Sequence, residues 1–129
     1  MIDAKAFEVA NDATTEVEIY DNAGAATGIF ITVCSSESDI ALSTKRKALD
    51  RRIAKMQRRG SKSTLKAEEL EAEAMELRVA CTKSWRDLQY EGKLLECTDE
   101  NKRLIYSRIS RIRDQVDEAI ADVSLFTKS

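Results

Sequence analysis

The sequence predicts an α+β fold, with an N-terminal antiparallel β-hairpin followed by a mostly helical domain of about four helices and a small extended insert. Three observations carry this. Two runs near the N-terminus alternate apolar and polar residues around a connector rich in Gly, Asn and Ala. Further on, apolar residues recur at helical spacing in several segments bounded by capping residues or glycine. Between the later segments, a stretch around Glu91-Gly92 reads as extended chain closed by a turn.

Residues 1–14 are weakly patterned and read as a loose arm with Phe7 and Val9 as edge contacts, leaving 15–129 as a single domain. In TEVEIY, Val17 and Ile19 fall on one face against Glu16, Glu18 and Tyr20; in GIFITVC, Ile29, Ile31 and Val33 alternate with Phe30, Thr32 and Cys34. The connector DNAGAATG suits a loop longer than two residues, which gives a hairpin over 15–34. An isolated hairpin is marginal in water, so it needs a packing partner.

A helical hairpin is expected over 39–82. Its first helix, from about Asp39 to Arg59 with a cap at Ser36 or Ser38, carries Ala41, Ala48, Leu49, Ile53 and Met56 as a thin apolar stripe. Between Lys45 and Lys62 nine Lys or Arg residues face only one acid, Asp50. Gly60 breaks that helix, and a second starts near Thr64 with Glu68, Glu69, Glu71, Glu73 and Glu76, acids that suit a helix N-terminus. Leu70, Ala74, Leu77 and Cys81 form its apolar seam, which continues to Trp85 and Leu88. Over 85–126 come the strand-and-turn insert at Tyr90–Leu95, a helix capped by Thr98 with Leu104, Ile105 and Ile109, and a last helix with Ile112, Val116, Ala119, Ile120 and Val123. Ser107 or Ser110 is expected to cap a break between these two, the alternative being a single long helix from Asp99 to Val123.

Composition limits the chemistry. A chain of 129 residues is one domain by size, and 43% hydrophobic with 34% charged residues is enough for a modest core. With no histidine, Ser-His-Asp, Cys-His and His-ligated metal arrangements are excluded, and Cys34, Cys81 and Cys97 lack zinc-ligand spacing. Neither a phosphate-binding nor a dinucleotide glycine motif occurs, so no cofactor is expected. The cysteines read as free thiols of a cytoplasmic protein; no apolar window is long enough for a membrane span, and the N-terminus lacks a secretory signal. Asp99, Glu100 and Asn101 are explained by helix capping, and Asp114, Asp117, Glu118 and Asp122 by a solvated helix face. Nothing points to an enzyme.

Two readings compete for the basic helix. Clustered cations suit nucleic acid or an acidic protein partner. The favoured reading is a hairpin in which basic and acidic helices face each other, because five acids follow within a dozen residues and no interleaved aromatics are present to stack on bases. The partner-binding candidates are Arg51, Arg52, Lys55, Met56, Arg58 and Arg59 on this helix, together with Trp85, whose alternative role is a core anchor under the insert.

In its order of motifs the chain resembles the tail assembly chaperones of long-tailed bacteriophages. The resemblance rests on TG-x-x-I-x-V (Thr27, Gly28, Ile31, Val33), a basic helix, and an acidic helix carrying Leu65, Glu68, Glu69, Leu70, Glu73, Ala74 and Leu77. It continues with Trp85 and Leu88, the turn at Gly92, then Thr98, Glu100 and Asn101, and finally Ile112, Arg113, Gln115, Val116, Asp117, Ile120, Ala121, Asp122 and the closing Phe126. The family often has a proline before the Thr98 turn, where this chain has Leu95, Glu96 and Cys97. The resemblance implies a non-enzymatic chaperone that holds the tape measure protein soluble while tail tube protein assembles around it. Separately, an exposed edge of the N-terminal hairpin would allow self-association into a homo-oligomer. The other classes compatible with the residues are a small tail or head-completion protein of the virion and a nucleic-acid-binding regulator using Lys45 to Lys62.

Overall fold

The computed structural model describes residues 1–10, 12–59 and 66–127, with Arg59 described by its backbone alone. The fold is α+β, as the sequence predicts. β1 (Thr14–Tyr20) and β2 (Ala26–Cys34) form the antiparallel hairpin, in register from Thr15↔Val33 to Glu18↔Phe30. The connector closes because the Asp21 carboxylate accepts from the Ala23 and Ala25 amides, both at 2.9 Å, while Gly24 supplies the left-handed φ of +83°. A bulge between Glu18 and Tyr20 follows, opposite Gly28 with its φ of +80°.

α1 (Asp39–Arg59) starts at Ser38, whose hydroxyl accepts from the Ala41 amide at 3.3 Å and donates to the Ser35 carbonyl at 2.6 Å. α2 (Ala67–Cys81) runs back along α1. The expected break at Gly60, Lys62, the helix start near Thr64 and Leu65 lie outside the described residues.

The helical seam expected to reach Trp85 ends at Cys81. Residues Thr82–Arg86 instead form β3, which pairs antiparallel with β2 and completes a three-stranded sheet in the order β1-β2-β3. Two forces favour this. Thr82 turns its hydroxyl back on the Arg78 carbonyl at 2.8 Å, satisfying the helix end, and the open edge of β2 offers a ladder to a segment holding β-favouring Thr and Trp. Trp85 thereby lies across from Ile31, partly buried, with its indole Nε1 donating to the Leu95 carbonyl at 2.9 Å.

β4 (Gln89–Tyr90) and β5 (Lys93–Leu94) form the small hairpin of the insert around Glu91-Gly92. α3 (Asp99–Arg108) is capped by Thr98, whose hydroxyl accepts from the Asn101 amide at 3.1 Å. α4 (Ser110–Ala121) follows after a break. That break is at Ile109, and neither expected serine caps it. Ile109 takes an extended conformation (φ −123°, ψ 92°) and packs against the core, while Ser107 bonds the Arg103 carbonyl at 2.6 Å. α4 also stops before Val123, which falls in a 3-10 turn over Val123–Leu125 held by the Asp122 side chain.

The core lies between the inner face of the sheet and α4. Ile19, Ile31 and Val33 pack with Leu88, Ile105, Tyr106, Val116, Ile120 and Phe126. Across the outer face, the Arg86 guanidinium stacks 4.0 Å from the Phe30 ring centroid and binds Glu16. The N-terminal residues read as a loose arm contain a 3-10 turn (Ala4–Phe7), and Val9 bridges to Thr127 beside the C-terminal end. All three cysteines are free; Cys34 and Cys81 are buried, Cys97 half-buried. Among the described residues, no helix is long and apolar enough to cross a membrane.

Candidate functional site

The α1/α2 hairpin gathers most of the residues that the sequence singles out. Along the seam Arg51 meets Glu76 at 2.6 Å, Arg52 meets Glu73 at 3.1 Å and Lys55 meets Glu69 at 2.9 Å. The pairs ascend on one helix as they descend on the other, so the helices are antiparallel. Between them Ala41 and Ala48 provide close contact and no bulk. The seam is consequently loose: a cleft of about 230 Å³ opens beside Ala48 and Ala72, and the Arg52 Nε is buried there without a hydrogen-bond partner.

The larger apolar residues of α1 point elsewhere. Leu42, Leu49, Ile53 and Met56 share a line about 100° of helical arc away from the Ala41/Ala48 line. They stay exposed, Leu49 at 48% and Met56 at 45%. On α2, Leu70 and Ala74 are offset by a similar arc, in the same rotational sense, from the glutamates that bind α1. Because the helices are antiparallel, both offsets fall on the same side of the hairpin. Leu70 is 52% exposed. Nearer the sheet, Leu77 and Cys81 continue that side into the core. The seam expected over Leu70, Ala74, Leu77 and Cys81 is therefore split, buried at its C-terminal half and open at its N-terminal half.

Of the seven sequence candidates, Arg51, Arg52 and Lys55 spend their charge on α2. Met56 lies in the open apolar row, and Arg58 is exposed with no ion-pair partner among the described residues. The Arg59 side chain lies outside the described residues. Trp85 is on the inner side of the sheet, removed from the hairpin row. Sequence reasoning missed Leu42; it joined Leu49, Ile53 and Met56 to Ala41 and Ala48 in one thin stripe, and it put Leu70 in the apolar seam of α2. The signal was present in the spacing: two apolar lines on one helix, one of alanines and one of large side chains, cannot both face the same neighbour.

Behind the site, polar contacts fix α2 to the rest of the fold. Arg78, 6% exposed, donates through Nε and an Nη to both Asp117 oxygens at 2.6 and 2.8 Å. The Tyr106 hydroxyl lies 2.7 Å from Thr82 Oγ1. The Thr82 proton goes to the Arg78 carbonyl, so Tyr106 donates to Thr82. Burial pushes the Tyr106 phenol well above its ordinary value. Cys34 and Cys81 share a hydrogen bond that lowers Cys34 and raises Cys81; with 2% and 0% exposure, both fill core volume. Among the described residues, no group of three or more acidic or thiol side chains is placed to hold a metal.

Comparison with family models, curated proteins and solved structures gives no match.

Proposed function

We propose that the protein is a non-enzymatic tail assembly chaperone of a long-tailed bacteriophage, acting in the host cytoplasm. On this reading it covers apolar stripes of the helical tape measure protein, and tail tube protein later displaces it. The single observation that carries the reading is the open row Leu42, Leu49, Ile53, Met56 and Leu70 on a hairpin whose own seam is held by ion pairs and alanines. An amphipathic helix laid along two antiparallel helices buries its apolar anchors in such a row. The motif succession supports the family assignment, and the row supports the mechanism.

Co-expression with the tape measure protein of the same phage tests it. The expected result is a rise in soluble tape measure protein and a co-purifying complex, both lost in a Leu49→Asp/Ile53→Asp variant. Unchanged tape measure solubility would overturn the reading, and recovery of the protein from mature particles would place it in the virion-structural class instead.

A further inference from the structure

On the side of the hairpin opposite the apolar row, α1, the α2–β3 junction and the start of α3 surround an open cleft of about 540 Å³. Five cations line it: Lys47, Arg51, Lys83, Lys102 and Arg103, against the two acids Glu76 and Asp99. The chain as a whole carries a net charge of −2, so this is a local reversal of sign. Glu76 is committed to Arg51 at 2.6 Å. Lys47, Lys83 and Arg103 have no ion-pair partner among the described residues.

Lys102 is the more telling group. Its residue is 8% exposed, yet its ammonium reaches only the Val79 carbonyl and Asp99 Oδ1, each at 3.4 Å. An ammonium has three protons to donate, and contacts at that length are at the limit of a hydrogen bond. A buried cation so thinly satisfied costs stability unless an anion completes its shell. An oxyanion in the cleft would do so.

We propose that this cleft binds an acidic peptide segment of a protein partner. The lining decides between anions. No aromatic ring is available to stack on a nucleobase. Ile40, Val79 and Ala80 share the lining with the cations, Ile40 the most exposed of the three, so the cleft offers aliphatic contact alongside charge, which suits Asp or Glu interspersed with apolar residues better than an inorganic anion. Because the cleft lies away from the apolar row, the inference stands or falls independently of the tape measure reading.

The test is fluorescence anisotropy of the full chain with a labelled synthetic peptide of alternating Glu and Leu, at low and at high salt. Expected is saturable, salt-sensitive binding that weakens about tenfold or more in Lys83→Glu/Arg103→Glu. A Lys93→Glu/Arg108→Glu chain, with the same change of charge on surfaces away from the cleft, is expected to bind within about twofold of the original. Lys102→Met should also lose the peptide; if that variant does not fold, the exposed Lys83/Arg103 pair carries the test alone, with circular dichroism confirming its fold. No binding at low salt, or equal weakening in both double variants, overturns the proposal. Displacement by inorganic pyrophosphate or a single-stranded oligonucleotide as readily as by unlabelled peptide overturns the assignment to acidic peptide.

Discussion

Tyr106 shows how one residue ties several elements together. It is fully buried, it donates to Thr82 where α2 gives way to β3, and its ring lies 5.8 Å from the Arg78 guanidinium that binds α4 through Asp117. Tyr106→Phe keeps the ring and removes one buried hydrogen bond, leaving Thr82 still bonded to Arg78; the expected loss is about 1 kcal/mol in denaturant melts. The pH dependence has a definite sign. The folded phenol titrates above the unfolded one, whose value is 10.0. Below that pH the contribution of the protonated hydroxyl is complete. As pH rises past it, the unfolded chain loses its proton first, so stability falls. The difference between the original chain and Tyr106→Phe should therefore shrink above about pH 10. A difference that stays constant through that range would mean the phenol is not held protonated by the fold.

At the scale of elements, the hairpin and the sheet have opposite lessons. α1 and α2 adhere through three part-exposed ion pairs over a seam of alanines, and such pairs contribute about 0.2–1 kcal/mol each. Replacing Glu69, Glu73 and Glu76 with lysine sets cation against cation along the seam. Hydrogen exchange of α1 should then accelerate while α3 and α4 keep their protection, and added salt should restore part of it. Unchanged exchange in α1 would show that its attachment rests elsewhere. The opposed basic and acidic runs made this pairing legible from residues alone, as did the Thr98 cap and the alternation of β1 and β2. β3 was not legible. Its five residues hold one large apolar side chain, Trp85, which fits a continued helical spacing as well as a strand, and only the open edge of β2 resolves the ambiguity. The direction of the α1 apolar line was hidden for a related reason: periodicity says which residues share a face, whereas the neighbour that face meets depends on where the ion pairs pull the helix.

For the whole molecule, the question is how strongly the open row draws a partner. Its five side chains, each near half exposure, leave roughly 300–400 Å² of apolar surface, a patch at the lower end of what folded monomers carry at functional sites. At about 25 cal/mol per Å², covering it contributes roughly 8–10 kcal/mol, which falls within the 4–15 kcal/mol that association costs. Two copies paired row to row bury roughly 600–800 Å² in all, short of the roughly 1,200 Å² at which stable interfaces begin, so self-pairing is weak, and a partner with a matching stripe must add contacts of its own to hold. This is the balance the proposed chaperone role requires, since a surface that bound tightly would not let go. The chain alone should run as a monomer at micromolar concentration in light-scattering chromatography, and it should bind the dye ANS less once Leu49 and Ile53 are replaced by Asp. Those exposed positions should tolerate the change with about 0.5 kcal/mol or less lost in thermal melts. A stable dimer abolished by the same double substitution would show that the row is covered by a second copy of the chain, and the transient-partner reading would then fail.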